Sequence, residues 1–341
     1  MAASSFKKNN TGAIRAVATL VVLFCHLNNT MSPRVENPLL VLSFYGSAAV
    51  GVFFFHTGYN LLYNYMERDD WAKDFWLKKL SRIYLPFVVV NIFGRIGWLA
   101  HGSRTSLSAI VRCALGFGIL NTELWYIQCC MLMYALFFLV FALLYRYGGK
   151  LRDKRLVVTV LCIIIWVIYG EIYRRWGAYG EKSSYRSWTL LFGMLTGIYA
   201  DSVISFWTKR KWEIFFAAAF VAVVIPQYER YGLEIALPLV GKLDYAQLRI
   251  FTVTVLANSL IMGEDIKSRF LAVIDKYSLY IYLAHAPLYV LYRSAIVYIE
   301  SDLLYLLVYL SSVAVSAFAL YHLAKLFEKA LRGLKKKIIK V

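Results

Sequence analysis

The sequence predicts an all-α fold: a polytopic membrane bundle of about ten transmembrane helices with both termini in the cytoplasm. Three observations predict it. The 341 residues are 60% hydrophobic and only 17% charged, with mean hydropathy +0.57, whereas soluble domains carry about 25% charged residues. Apolar stretches near the roughly 20 residues that span a bilayer recur along the chain, with short connections between them. The basic residues are also lopsided. Of 38 Lys and Arg, 26 fall on one side of the implied membrane and 10 on the other, with Arg95 and Arg293 inside spans. Cytoplasmic loops collect Lys and Arg, so the richer side, which includes both termini, is read as cytoplasmic.

The first apolar stretch covers 13–30. It follows Lys7 and Lys8 and superficially resembles a signal peptide, but Leu27-Asn28-Asn29-Thr30 offers no small-x-small cleavage site. An uncleaved first helix is expected. Further spans are expected at 43–64, 83–100, 122–145, 156–172, 187–206, 213–226, 248–264, 273–298 and 303–327, the seventh being short. Segment 105–120 is moderately apolar and reads as a re-entrant or interfacial helix. Loops 101–121 and 227–247 are expected outside. The 173–186 loop, with four basic residues, fits the charge rule least. No interior linker is long enough to suggest a second domain and no internal repeat is visible. The whole chain, 1–341, therefore reads as one multi-pass domain of the plasma membrane, with a short cytoplasmic segment 1–12 and a basic cytoplasmic tail 328–341.

The net charge of +18 would suggest nucleic acid in a soluble protein. In a membrane protein it is loop charge, so the expected partner is the lipid bilayer and no nucleic acid. An anionic cofactor could exploit the same surplus. The five cysteines, Cys25, Cys113, Cys129, Cys130 and Cys162, form no C-x-x-C and sit in apolar surroundings. They read as small buried hydrophobes, and no metal is expected.

Chemistry enters with Arg15 and His26. Eleven steps of ~100° return nearly to the same helical face, about 16 Å further along the axis. An ionisable residue at that depth is costly unless it faces a bundle interior or a wet cavity. A neutral imidazole there can take a proton from a hydroxyl near neutral pH. On spacing alone, a snorkelling Arg15 and a His26 bonded to a neighbouring helix explain the pattern equally simply. The second helix carries Phe53-Phe54-Phe55-His56-Thr57-Gly58-Tyr59, which alone reads as close helix packing around another intramembrane histidine. Lys79 and Arg82 are i,i+3 neighbours at the mouth of the third span. Such a pair suits phosphate groups, and is also what a positive-inside signal looks like. Glu123, Trp125 and Tyr126 open the fourth span, where aromatic residues also form interfacial belts. His285 sits in the ninth span, two residues before the helix-distorting Pro287. His101 and His322 belong to no such group.

Together these pieces resemble the acyltransferase-3 family of integral membrane acyltransferases. Arg15, ten intervening residues, then His26 looks like its signature. Phe53 to Tyr59 resembles its Phe-Phe-x-x-Ser-Gly-Tyr stretch, with Thr57 in place of Ser. Lys79-x-x-Arg82 resembles its R-x-x-R pair, with Lys79 keeping the charge but not the bidentate geometry of an Arg. Trp125-Tyr126-Ile127 resembles its Trp-aromatic-Leu segment. Tyr280 to Pro287 resembles its Ser-Tyr-x-x-Tyr-Leu-x-His-x-Pro ending. The pieces occur in the family's order over about residues 10–330. Some members carry a fused esterase-like domain; none is expected here, and there is no G-x-S-x-G elbow or P-loop.

The resemblance implies transfer of an acyl group, usually acetyl, from cytoplasmic acetyl-CoA or another acyl-CoA to a hydroxyl of a cell-surface or lipid-linked carbohydrate. It implies His26 as general base, with a covalent acyl-histidine relay as the variant. Lys79, Arg82 and Arg15 would bind the donor, Arg15 also stabilising charge on the thioester oxygen. His56, Thr57, Tyr59, Glu123, Trp125 and His285 would line the substrate pocket. Two other classes compete. A transporter or flippase for a polysaccharide or lipid-linked sugar would also use buried His and Arg. A membrane anchor that only assembles partners accounts for neither His26 nor the order of motifs.

Overall fold

The computed structural model describes residues 8–28, 45–100, 106–115, 124–147, 153–176, 187–230, 236–237, 241–242, 245–292 and 297–339. In chain order the helices are α1 (Lys8–Asn28), α2 (Gly46–Glu67), α3 (Phe75–Lys79), α4 (Leu85–Ala100), α5 (Leu107–Ala114), α6 (Trp125–Tyr147) and α7 (Arg155–Trp176). They continue as α8 (Ser187–Ile198), α9 (Ala200–Lys209), α10 (Lys211–Arg230), α11 (Tyr245–Ile261), α12 (Arg269–Leu291) and α13 (Asp302–Ile339). A π-helical turn, Leu80–Tyr84, joins α3 to α4. Besides helix and loop, the described residues include a two-residue antiparallel ladder, β1 (Ala236–Leu237) with β2 (Gly241–Lys242), and a bridge residue at Tyr298.

The chain forms two compact units. The first comprises Met1–Val21, Tyr45–Trp71 and Ala135–Asp275. Its centre is the crossing of α2 over α8, which only absent side chains permit. A Cβ on Gly193 would meet the Phe55 carbonyl, and one on Gly58 would meet the Leu190 carbonyl. Gly193 and Gly197, four apart, give α8 the small-xxx-small face that lets membrane helices approach. α11 packs against both α2 and α10, and Trp207 of α9 donates to the Ser259 hydroxyl of α11 (2.8 Å). Asn10 ties the start of α1 to the turn after α11. Its amide donates to the Ile261 carbonyl (3.1 Å) and the Glu264 carbonyl, and its carbonyl accepts from the Ile266 N–H. Val160, Ile163, Ile164, Val167 and Ile168 form one exposed stripe on α7. In water that stripe would be a liability; in a bilayer it is a lipid-facing surface.

The second unit comprises Val22–Phe44, Ala72–Tyr134 and Lys276–Val341. Here α13 packs along α3, the π turn and α4. The π turn has a cause in the sequence. Pro86 lacks an N–H, and in a regular α-helix its ring would strike the carbonyl four residues back, that of Arg82. Widening the turn over Leu80–Tyr84 relieves that clash, and such bulges recur at functional sites. α12 lies against α13 through Tyr280 and Tyr321 (ring centroids 5.7 Å apart) and a Tyr292–Ser312 hydroxyl hydrogen bond (2.8 Å).

Among the described residues, four helices are long and apolar enough to cross a membrane: stretches within α1, α6, α7 and α13. α8 and α9 make a fifth if they count as one span, against the ten read from the sequence. The remaining helices fall short for identifiable reasons. α4 has 16 residues and α11 has 17; α2 carries His56, Asn60, Asn64 and Glu67, and α12 opens with Arg269, Asp275 and Lys276. Two expected elements differ in shape. The 187–206 span is broken at Tyr199, and the two helices meet at a bend of 104°. The basic tail 328–341 is not a separate segment: α13 runs on to Ile339 as one 38-residue helix. At 1.5 Å per residue that is about 57 Å, nearly twice the hydrocarbon core.

Candidate active site

α12 carries an uninterrupted buried run, Tyr280-Ile281-Tyr282-Leu283-Ala284-His285-Ala286. Seven consecutive buried residues leave no helical face for lipid, so this segment is enclosed on every side. Pro287 cannot donate to the Leu283 carbonyl, which loosens the helix at this point. The His285 ring folds back over its own turn, with Nδ1 2.5 Å from the Tyr282 carbonyl. A carbonyl only accepts, so Nδ1 carries the proton in that bond. The neutral ring then has its lone pair on Nε2. The Tyr309 hydroxyl of α13 donates to the His285 carbonyl (3.4 Å).

His26, on α1, stands beside it: the two imidazole centroids are 5.1 Å apart, with the planes tilted by 39°. Tyr282 lies 5.3 Å from the His285 ring on another side, and Tyr126 lies 5.7 Å from Tyr282. The second unit thus contains a row of two imidazoles and two phenols. Trp125, buried, adjoins Tyr126 edge to face. Glu123 and His101 lie outside the described residues.

Arg15 is held in the first unit. Its Nε and Nη2 donate to the two carboxylate oxygens of Asp275 at 2.9 and 3.0 Å, a bidentate fork. Gly12, one turn earlier, makes room, since a Cβ there would sit 2.9 Å from Asp275 Oδ2. The Arg15 charge also acts on His56 of α2. His56 and Tyr59 are buried in the α2 packing, His56 edge-on to Phe55 and Tyr59 stacked on Tyr63 at 5.3 Å. The structure therefore groups Arg15, His56, Thr57 and Tyr59 in the first unit, and His26, Lys79, Arg82, Trp125 and His285 in the second.

Lys79 and Arg82 do not keep the single face that i,i+3 spacing implies. The π turn begins just after Lys79 and rotates less per residue than an α-helix, so the two side chains diverge. Lys79 turns inward, its ammonium 3.8 Å from the centre of the Tyr134 ring. Burial pushes its pKa down to about 8, with the Arg82 and Lys78 charges adding to the fall and Cys130 opposing it. Arg82 points outward and forks onto Glu328 of α13 at 2.9 and 3.1 Å, which holds the Glu328 carboxyl below the usual carboxylate range. One turn further along α13, Arg332 and Lys335 both donate to Asp74 (3.0 and 2.7 Å), the residue before α3. Asp74 has φ 59°, the left-handed region that non-glycine residues enter only when held there.

Along α13, the contact with His285 at Tyr309 and the contact with Arg82 at Glu328 are about 28 Å apart. That is close to the thickness of a hydrocarbon core. The cationic cluster and the imidazole pair thus lie at opposite ends of a membrane-length stretch of α13. Sequence reading missed Asp275 and Glu328. Asp275 precedes His285 by ten residues much as Arg15 precedes His26 by eleven, a parallel that was available as a signal. Nothing in the sequence alone pairs Glu328 with a residue 246 positions away. Among the described residues no group of three His, Cys, Asp or Glu could hold a metal ion.

No curated protein and no solved structure matches the chain. The family model described as the acyltransferase domain of the acyltransferase-3 type matches residues 12–322, a stretch that contains α2 through α12, most of α1, the first half of α13, and Arg15, His26, His56, Lys79, Arg82 and His285. The chain belongs to the acyltransferase-3 family and is a membrane acyltransferase.

Proposed function

We propose that the protein transfers an acyl group, most simply acetyl, from a cytoplasmic acyl-CoA to a hydroxyl of a cell-surface or lipid-linked carbohydrate at the plasma membrane. The observation that carries this reading is the His26–His285 pair, a half-buried imidazole beside a buried one, set about a membrane's thickness from the cationic cluster around Arg82. The donor's charged end stays in water among Lys79 and Arg82, while its thioester reaches inward. His26 takes the proton of the acceptor hydroxyl as that oxygen attacks the thioester carbonyl. The C–S bond breaks, the ester forms, and the imidazolium proton passes to the departing thiolate to give free CoA. His285, its tautomer fixed by Tyr282, supports His26 and is the second candidate base. Arg15, oriented by Asp275, is assigned to donor binding. Trp125, Glu123, His56, Thr57 and Tyr59 are assigned to the substrate pocket. The family match runs through both units, in keeping with one acyltransferase domain.

The test is thiol release by purified protein in nanodiscs, given acetyl-CoA with and without envelope glycan or lipid-linked sugar. The reading expects free CoA and esterified sugar in equal amounts. Sugar crossing the bilayer with no thioester consumed would make the protein a transporter and end this reading.

A further inference from the structure

The cytoplasmic end of α13 has more cationic character than its ion pairs use. Lys325, Glu328, Lys329, Arg332, Gly333 and Lys336 line one groove of about 550 Å³, a stripe at helical spacing with four cations and a single carboxylate. The pairing beside it is uneven in a telling way. The carboxylates are covered, the Glu328 and Asp74 side chains being 16% and 14% exposed. The Arg82 and Arg332 side chains that hold them remain 55% and 44% exposed. Two covered carboxylates thus hold the cations, whose own side chains stay open to solvent. Lys329 and Lys336 form no ion pair among the described residues. Surface charge spread along a loop would serve the positive-inside rule equally well. A row of cations held at fixed spacing on one face of a helix, docked against the π turn that carries Arg82, suits a multiply charged anion.

We infer that this groove on α13, with Arg82 at its edge, is the seat of the nucleotide phosphates of the acyl-CoA donor, so that the C-terminal helical extension is part of the donor site. The inference rests on the acyl-CoA reading above, and it adds Lys329, Arg332 and Lys336 to the residues proposed to bind the donor. Glu328 is the anion the phosphates displace from Arg82.

The experiment measures binding of CoA and of inorganic tripolyphosphate to the full chain in phosphatidylcholine nanodiscs. Wild type is compared with K329Q/K336Q, whose exposed side chains leave the docking pairs of α13 intact, and with E328Q. The double variant should raise the Kd for CoA about tenfold or more, with a smaller effect on dephospho-CoA, which lacks one phosphate. E328Q, which removes the groove's carboxylate, should tighten CoA several-fold. An unchanged Kd in the double variant, or weaker binding in E328Q, would overturn the proposal. So would a double variant that keeps its CoA affinity but loses affinity for phosphatidylglycerol in a parallel set of discs doped with that lipid, which would make the groove a lipid site. If tripolyphosphate binds in a Lys329- and Lys336-dependent way but CoA does not bind at all, the acyl-CoA donor reading falls and the polyphosphate groove stands.

Discussion

Lys79 shows how one side chain couples burial to donor chemistry. Its folded pKa of about 8 lies below the ordinary 10.5. Between those values the unfolded chain keeps a proton that the folded protein has lost. Burial of this group therefore opposes folding fully below about pH 8, and the opposition fades as pH rises toward 10.5. Donor binding runs the other way, because the charge that meets phosphate disappears as pH passes about 8. The donor KM should rise several-fold between pH 7 and 9 in wild type and stay flat in K79R, whose guanidinium keeps its proton; parallel profiles would remove Lys79 from the donor site. Arg15, His26 and His285 were legible in the sequence because an ionisable residue in an apolar helix stands out against its surroundings. Asp275 was missed despite its matching distance from His285, because near the start of a helix it passes for interfacial charge; the folded chain shows its fork on Arg15.

At the scale of elements, the α2–α8 crossing should be the least forgiving contact in the first unit. G193L would drive a side chain into the Phe55 backbone, and overpacking of this kind costs about 1–3 kcal/mol or more. G170A is the contrast. Nothing lies within 4 Å of a Cβ placed there, and Ala exceeds Gly in helix propensity by about 1 kcal/mol. Thermal melts in detergent should show G193L clearly below wild type and G170A at or above it; equal melts would mean the crossing is looser than its geometry. Helix existence was legible from hydropathy, but helix ends were not. The break at Tyr199 has no proline to announce it, only Gly197 before it and Asp201 in the first turn of α9. The tail 328–341 is expected in the cytoplasm by its charge, and its Ala, Leu, Lys, Glu and Arg are strong helix formers that continue α13 to Ile339.

For the whole molecule, the proposed topology has both termini and the 146–155 loop in the cytoplasm, on the strength of the basic-residue asymmetry. Single cysteines placed in that loop of a cysteine-free variant should resist an impermeant thiol reagent in intact cells and react after lysis; labelling from outside would invert or break the ten-span scheme. The central claim is that the His26 imidazole performs acyl transfer, and His26→Ala tests it most directly. A histidine that only bonds a neighbouring helix contributes about 0.6 kcal/mol in a membrane, too little to unfold the bundle. A general base contributes about 10²–10⁴-fold in rate. Turnover at saturating acetyl-CoA should therefore be measured beside thermal stability for His26→Ala, with His285→Ala and His56→Ala in parallel. The account predicts normal stability and at least a hundredfold loss of turnover in His26→Ala. A His26→Ala protein that keeps more than about a tenth of wild-type turnover would contradict it.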